Sequence, residues 1–152
     1  MKLKIIGVMT GTLLLAACSS HNDGMNSAGA AIPGSIEDFN RNVSNKAFFA
    51  FDKSSLDQTA QNNMKSVVEW TKKYPQKSLT VEGHTDSHGT ADYNLALGQR
   101  RADSAMRFLK SSQVGAQEVN AVSFGKSKLP AGTDNSEATH AQNRVAQVVI
   151  QQ

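Results

Sequence analysis

The sequence predicts an α/β sandwich: a mixed sheet with helices packed on it, in the order β-α-β-α-β-β. Three observations carry this. Two stretches, residues 55–74 and 91–111, repeat apolar residues at helical spacing. Short runs rich in β-branched and aromatic residues precede, separate and follow them. Each helical stretch returns the chain to a strand, the alternation that builds one layered α/β core. The chain has 152 residues, enough for one domain and little more.

In "KAFFAFD", Phe49 and Phe51 alternate with Ala50, as in a buried strand. In "SSLDQ", Ser55 followed three residues later by Gln58 fits a capping box. Leu56, Ala60, Met64, Val67, Val68 and Thr71 then share one helix face. Tyr74-Pro75 ends that helix, because the residue before proline avoids the helical region. "KSLTVEGH" reads as the second strand, with Leu79 and Val81 on one side. A second helix spans 91–111, its stripe of Leu95, Gly98, Ala102, Ala105 and Leu109 facing the sheet. "VNAVSFG" and "RVAQVVIQ" are the last two strands. The polar loop of about 15–20 residues between them is long enough to suggest that it borders a ligand site.

The N-terminus has another character. Lys2 and Lys4 precede an apolar run of about 11 residues and then small residues, the plan of an export signal over 1–17. The run is too short to span a bilayer permanently. "LAAC" ends at Cys18, the only cysteine, which no internal disulfide can use. The tetrapeptide resembles a bacterial lipobox, which implies lipidation of Cys18. Several acyl chains would hold it stably in a membrane. Ser19 and Ser20 follow, and in such lipoproteins serine there implies the outer membrane, on the periplasmic side. Residues 18–43 read as the lipidated start and a flexible tether, with a short ordered turn near Ile36 to Phe39. About 25 residues extend to roughly 80–90 Å at most. As a coil they span nearer 25–30 Å. The folded domain is then 44–152. Removing Lys2 and Lys4 from the 16 Lys and Arg leaves 14 against 13 Asp and Glu, a net of +1. With no basic patch and no arginine tract, nucleic acid is excluded as a partner.

The chemistry concentrates in "VEGHTDSHGTADYNLALGQRRA", residues 81–102. The bland reading is a solvated strand-to-helix loop. A zinc reading rests on H-x-D-x-H at His84, Asp86 and His88, but no third histidine follows at a plausible spacing. A hydrolase lacks a nucleophile motif, a reactive cysteine and a convincing pair of carboxylates, so no catalytic residue and no cofactor is assigned. The remaining reading is a pocket for a zwitterion. Asp86 lies in the loop, while Asn94 and Arg101 lie seven residues apart on the helix, two turns to within about 20°. They share a face with Leu97, and Arg101 stands at the edge of the buried stripe, leaning back toward the loop. A carboxylate and a guanidinium held apart would grip ammonium and carboxylate groups together. The competing reading is that Asp86 and Arg101 pair with each other.

In "GHTD", "YN-x-x-L-G-x-RRA", "FAFDKSSL" and "SFGKSKLP", residues 46–150 resemble the peptidoglycan-binding domain of the OmpA C-terminal family. Asn94, Leu97, Gly98, Arg101, Ala102 and Leu109 match its helix pattern, with Ala105 in place of a valine. The resemblance implies a ligand, diaminopimelate in the stem peptide of peptidoglycan, its ammonium on Asp86 and its carboxylate on Arg101. It implies Asp52, Asn94 and Arg144 as supporting members of the pocket. The family usually carries a second arginine after Arg144, where this chain has Val145, and an extra residue precedes Pro130. For a short lipoprotein of this family, the resemblance implies partners of the Tol system, above all TolB, and a role in envelope constriction. The alternatives are a lipoprotein of the family without Tol partners and a metal-dependent periplasmic hydrolase.

Overall fold

The structure is a computed structural model and describes residues 31–151. The export signal, Cys18 and most of the tether lie outside the described residues.

Among the described residues, eight elements follow in the order α1 (Ile36–Asn42), β1 (Lys46–Phe48), α2 (Gln58–Lys73), β2 (Ser78–His84), α3 (Ala91–Ser111), β3 (Glu118–Gly125), α4 (Glu137–Asn143) and β4 (Val145–Gln151). The four strands form one mixed sheet in the spatial order β1-β4-β2-β3. β4 runs antiparallel to both β1 and β2, while β2 and β3 are parallel and joined by the α3 crossover. Leu79, Val81, Ala146 and Val148 are fully buried on one sheet face, whereas Thr80, Glu82, Gln147 and Val149 on the other are half-buried. Met64, Val67 and Val68 of α2, and Ala102, Ala105 and Leu109 of α3, complete the core on the covered face.

The sheet, α2 and α3 follow the expected plan, with α3 beginning and ending where its spacing predicts. Five details differ. First, α1 lies inside the stretch read as tether. Ile36, Phe39 and Val43 fall at helical spacing, and Ser35 caps the helix by accepting from the Asp38 N–H at 3.1 Å. Phe39 is fully buried, edge-on to Trp70 with ring centroids 4.9 Å apart. The Trp70 indole donates to Asp38 at 2.9 Å. The ordered domain therefore starts well before residue 44.

Second, β1 is Lys46–Phe48, three residues earlier than the aromatic alternation suggests. Phe49 is buried beyond its end, but Phe51 is 62% exposed. Third, Leu95 is exposed and does not belong to the sheet-facing stripe of α3. Fourth, the polar loop before β4 contains α4. Fifth, the cap of α2 is Asp57, whose Oδ1 accepts from the Ala60 N–H at 2.7 Å, and not Ser55. Asp57→Ala is expected to lower stability by about 1 kcal/mol in urea unfolding, with Ser55→Ala within about 0.5 kcal/mol of the parent.

Candidate functional site

The site forms beyond the C-terminal end of β2, the usual place for ligands in open α/β sheets. At that end the β2–β3 register shifts between Gly83 and His84. His84 is fully buried, its Nδ1 3.0 Å from the Lys128 carbonyl and its ring stacked on Phe124. Burial pushes its imidazole below the ordinary range, against the opposing pull of the Lys128 carbonyl and Glu82. Among the described residues no group of three or more His, Cys, Asp or Glu side chains is arranged to hold a metal ion.

Asp86 follows in the loop and is 4% exposed. Its Oδ1 accepts from the His88 N–H at 3.1 Å, and its Oδ2 meets Arg144 at 3.2 Å. Burial pushes this carboxyl up, but the Arg144 hydrogen bond, the His88 N–H and the neighbouring charges outweigh it, so the net direction is below the usual carboxylate range. Gly89, at φ +87°, turns the chain into α3. Thr90 caps that helix, and Asn94 donates to the carbonyls of His88 at 2.6 Å and Thr90 at 2.9 Å. Asn94 thus holds the loop that carries Asp86.

Arg101 is fully buried, not at the edge of the buried face. It donates to three carbonyls: Nε to Lys53 at 2.8 Å, Nη1 to His84 at 2.9 Å and Nη2 to Ala50 at 3.3 Å. A guanidinium has five N–H groups, so two are not used by these carbonyls. Burial pushes its pKa down to about 10, with Asp86 and Asp52 opposing and Arg144 reinforcing. It therefore stays charged near neutrality. Its three carbonyls pin the Ala50–Lys53 turn against β2. That turn carries Phe51, and Asp52 in the left-handed region at φ 55°, a conformation aspartate tolerates better than most residues. Tyr93 donates its hydroxyl to Asp52, which holds the phenol above its ordinary range.

These side chains line a small recess of about 30 Å³, bordered by Phe51, Asp52, Asp86, His88, Tyr93, Asn94, Leu97 and Arg101. Asp86, Arg101, Asp52 and Asn94 all line it. The direct Asp86–Arg101 pair does not form: the arginine salt-bridged to Asp86 is Arg144. Arg144 stands behind Asp86 and outside the cavity lining, with Nε on the Phe49 carbonyl at 3.3 Å and Nη2 on Glu137 at 2.7 Å. Val145 opens β4 opposite Phe48, 1% exposed, and does not line the cavity either. Phe51 and Tyr93 were not expected at the site. Glu137 and His140 were missed because α4 was; the Ser136 cap was the available signal, since its Oγ accepts from the Thr139 N–H at 3.2 Å.

Residues 48–144 match the OmpA family. The chain is 39% identical to the peptidoglycan-associated lipoprotein of Agrobacterium fabrum, over 93% of this chain and 84% of that protein. It is 35% identical to the one from Pasteurella multocida, over 94% of each. A crystal structure of the peptidoglycan-associated lipoprotein from Burkholderia pseudomallei superposes with a TM-score of 0.66 at 38% identity, covering 70% of this chain and 90% of that one. The fold, the motifs around its small recess and these matches agree: this chain belongs to the OmpA family, where its curated relatives are peptidoglycan-associated lipoproteins.

Proposed function

We propose that this protein is a non-catalytic lipoprotein that ties the outer membrane to peptidoglycan. It holds the diaminopimelate head group of a stem peptide between Asp86 and Arg101. One observation carries the reading. A nearly buried carboxylate and a fully buried guanidinium line one small cavity, and each is anchored by other groups. Neither is consumed by the other, so a ligand bearing both charges completes them. The ammonium lies on Asp86 and the carboxylate on the two N–H groups that Arg101 has left. Leu97 and Phe51 offer apolar wall to the methylene chain. The lipid on Cys18 and the tether hold the domain beside a dense lattice of ligands. A modest single-site affinity then suffices, because local concentration is high.

The test is calorimetric titration with a stem peptide ending in diaminopimelate, against the same peptide ending in lysine. Asp86→Asn keeps the shape and an acceptor for the His88 N–H but removes the charge. It is expected to weaken binding about 10- to 100-fold, the value of one or more charge-assisted hydrogen bonds. The lysine peptide, which lacks the carboxylate for Arg101, is expected to lose at least as much. Equal affinity for the two peptides would sink the reading.

The likeness to peptidoglycan-associated lipoproteins supports extending the reading to Tol partners, TolB first, and to envelope constriction at division. Capture of purified TolB by the protein tests this separately. A lipoprotein that binds the wall peptide but not TolB is the alternative within the same chemistry.

A further inference from the structure

Neither the binding pair nor its supporting residues give His88 or His140 a role. His88 lines the cavity, with its side chain 55% exposed and its Nδ1 3.4 Å from Asp86 Oδ1. His140, on α4, is 7% exposed and packs its ring against that of His88 with centroids 4.4 Å apart. The Nδ1 of His140 is buried without a hydrogen-bond partner. Phe51 meets His88 edge-on at 6.1 Å. One imidazole is thus wedged at the acidic end of the cavity, between an aromatic ring and a second imidazole.

We propose that His88, seated against His140, gates the cavity by its own protonation: a ligand ammonium occupies Asp86 while the imidazole is neutral and is displaced when it takes a proton. This inference rests on the cationic head-group reading above and adds its regulation. A protonated His88 places a positive charge within 3.4 Å of the carboxylate that the ligand needs. Proton and ligand ammonium then compete for Asp86.

The surrounding charges leave the imidazoles as the groups that change. Asp86, on the same loop, stays ionised. Asp52, across the cavity, accepts from Tyr93 of α3. Arg101 and Arg144 are permanently positive in this range, and the latter is paired with Glu137 of α4. Asp134, before α4, interacts with His140. Only histidine normally changes charge between pH 5 and 8. A bound ammonium makes His88 harder to protonate. By reciprocity, acid raises the Kd of the ligand.

The experiment titrates the full chain with the diaminopimelate-terminated stem peptide at pH 7.5 and pH 5.5, in the parent and in His88→Gln. Circular dichroism confirms the fold at both values. The parent Kd is expected to rise about 5- to 10-fold at pH 5.5, the low end of typical site coupling, since His88 is partly screened by solvent. His88→Gln is expected to bind with a nearly flat profile. NMR titration of the His88 ring should show its midpoint falling when peptide is bound. A parent that binds at pH 7.5 with the same Kd at pH 5.5, or a His88→Gln variant that keeps the full pH slope, overturns the gate alone. A folded parent that fails to bind at pH 7.5 overturns the head-group reading and the gate with it.

Discussion

Arg101→Ala is expected to abolish stem-peptide binding and to lower unfolding stability by about 3–5 kcal/mol. The double loss follows from its position. The guanidinium is fully buried and serves three main-chain carbonyls from two segments, at Ala50 and Lys53 in one turn and at His84, the last residue of β2. Truncation leaves those carbonyls without donors and frees the turn that presents Phe51 and Asp52. It also removes the stack over the Phe49 ring, now 5.2 Å from the guanidinium carbon. Arg101→Lys separates the two roles. An ammonium keeps the charge but cannot serve three divergent carbonyls and a ligand together. It should recover part of the stability while affinity stays more than about tenfold down. Urea unfolding and calorimetry on the same preparations measure both. A lysine variant with full affinity would show that Arg101 contributes only charge.

Gly83→Ala is expected to cost about 3 kcal/mol, at the top of the range for overpacking. A Cβ on Gly83 would stand 1.9 Å from the Gly98 carbonyl oxygen and 2.7 Å from its carbon. Both are backbone of α3, so no side chain can swing aside. Helix and strand would have to part, moving Arg101 relative to Asp86. Gly98→Ala meets the Ser123 hydroxyl first, at 2.3 Å. That group can rotate, at the loss of its bond to the Leu95 carbonyl at 2.7 Å, so the cost there should be smaller. Chemical denaturation ranks the two variants, and a Gly83→Ala protein as stable as its parent would refute the close-packing account.

The long periodic elements were legible in the sequence because their physics is local. α3 carries enough turns for its apolar stripe to stand out. The same spacing put Asn94, Leu97 and Arg101 on one face, and all three are buried. Short elements were not legible. α4 has two turns of mostly polar sequence, and α1 has a single fully buried aromatic. α4 gives no period to measure, and the spacing in α1 is so short that it reads as an ordered turn near Ile36 to Phe39 rather than a helix. The misplaced β1 has a different cause. Phe51 continues the alternation of Phe49 but serves the cavity rim, so an aromatic needed for the site imitated a core strand. The partner of Asp86 was beyond local reasoning altogether. Helix geometry relates Arg101 to the loop, but only the tertiary fold carries Arg144 to Asp86 from 58 residues away.

β4 is the final strand in the sequence, yet it lies inside the sheet, between β1 and β2. Until it arrives, β1 has no neighbour, and β2 can pair only with β3, itself separated from it by α3. The Asn45 amide reaches the Val148 carbonyl across 103 residues. Closing a contact of that span carries a loop entropy that local contacts do not. The sheet is therefore incomplete until β4 is in place, and the strand order makes its closure depend on one of the longest-range pairings in the fold.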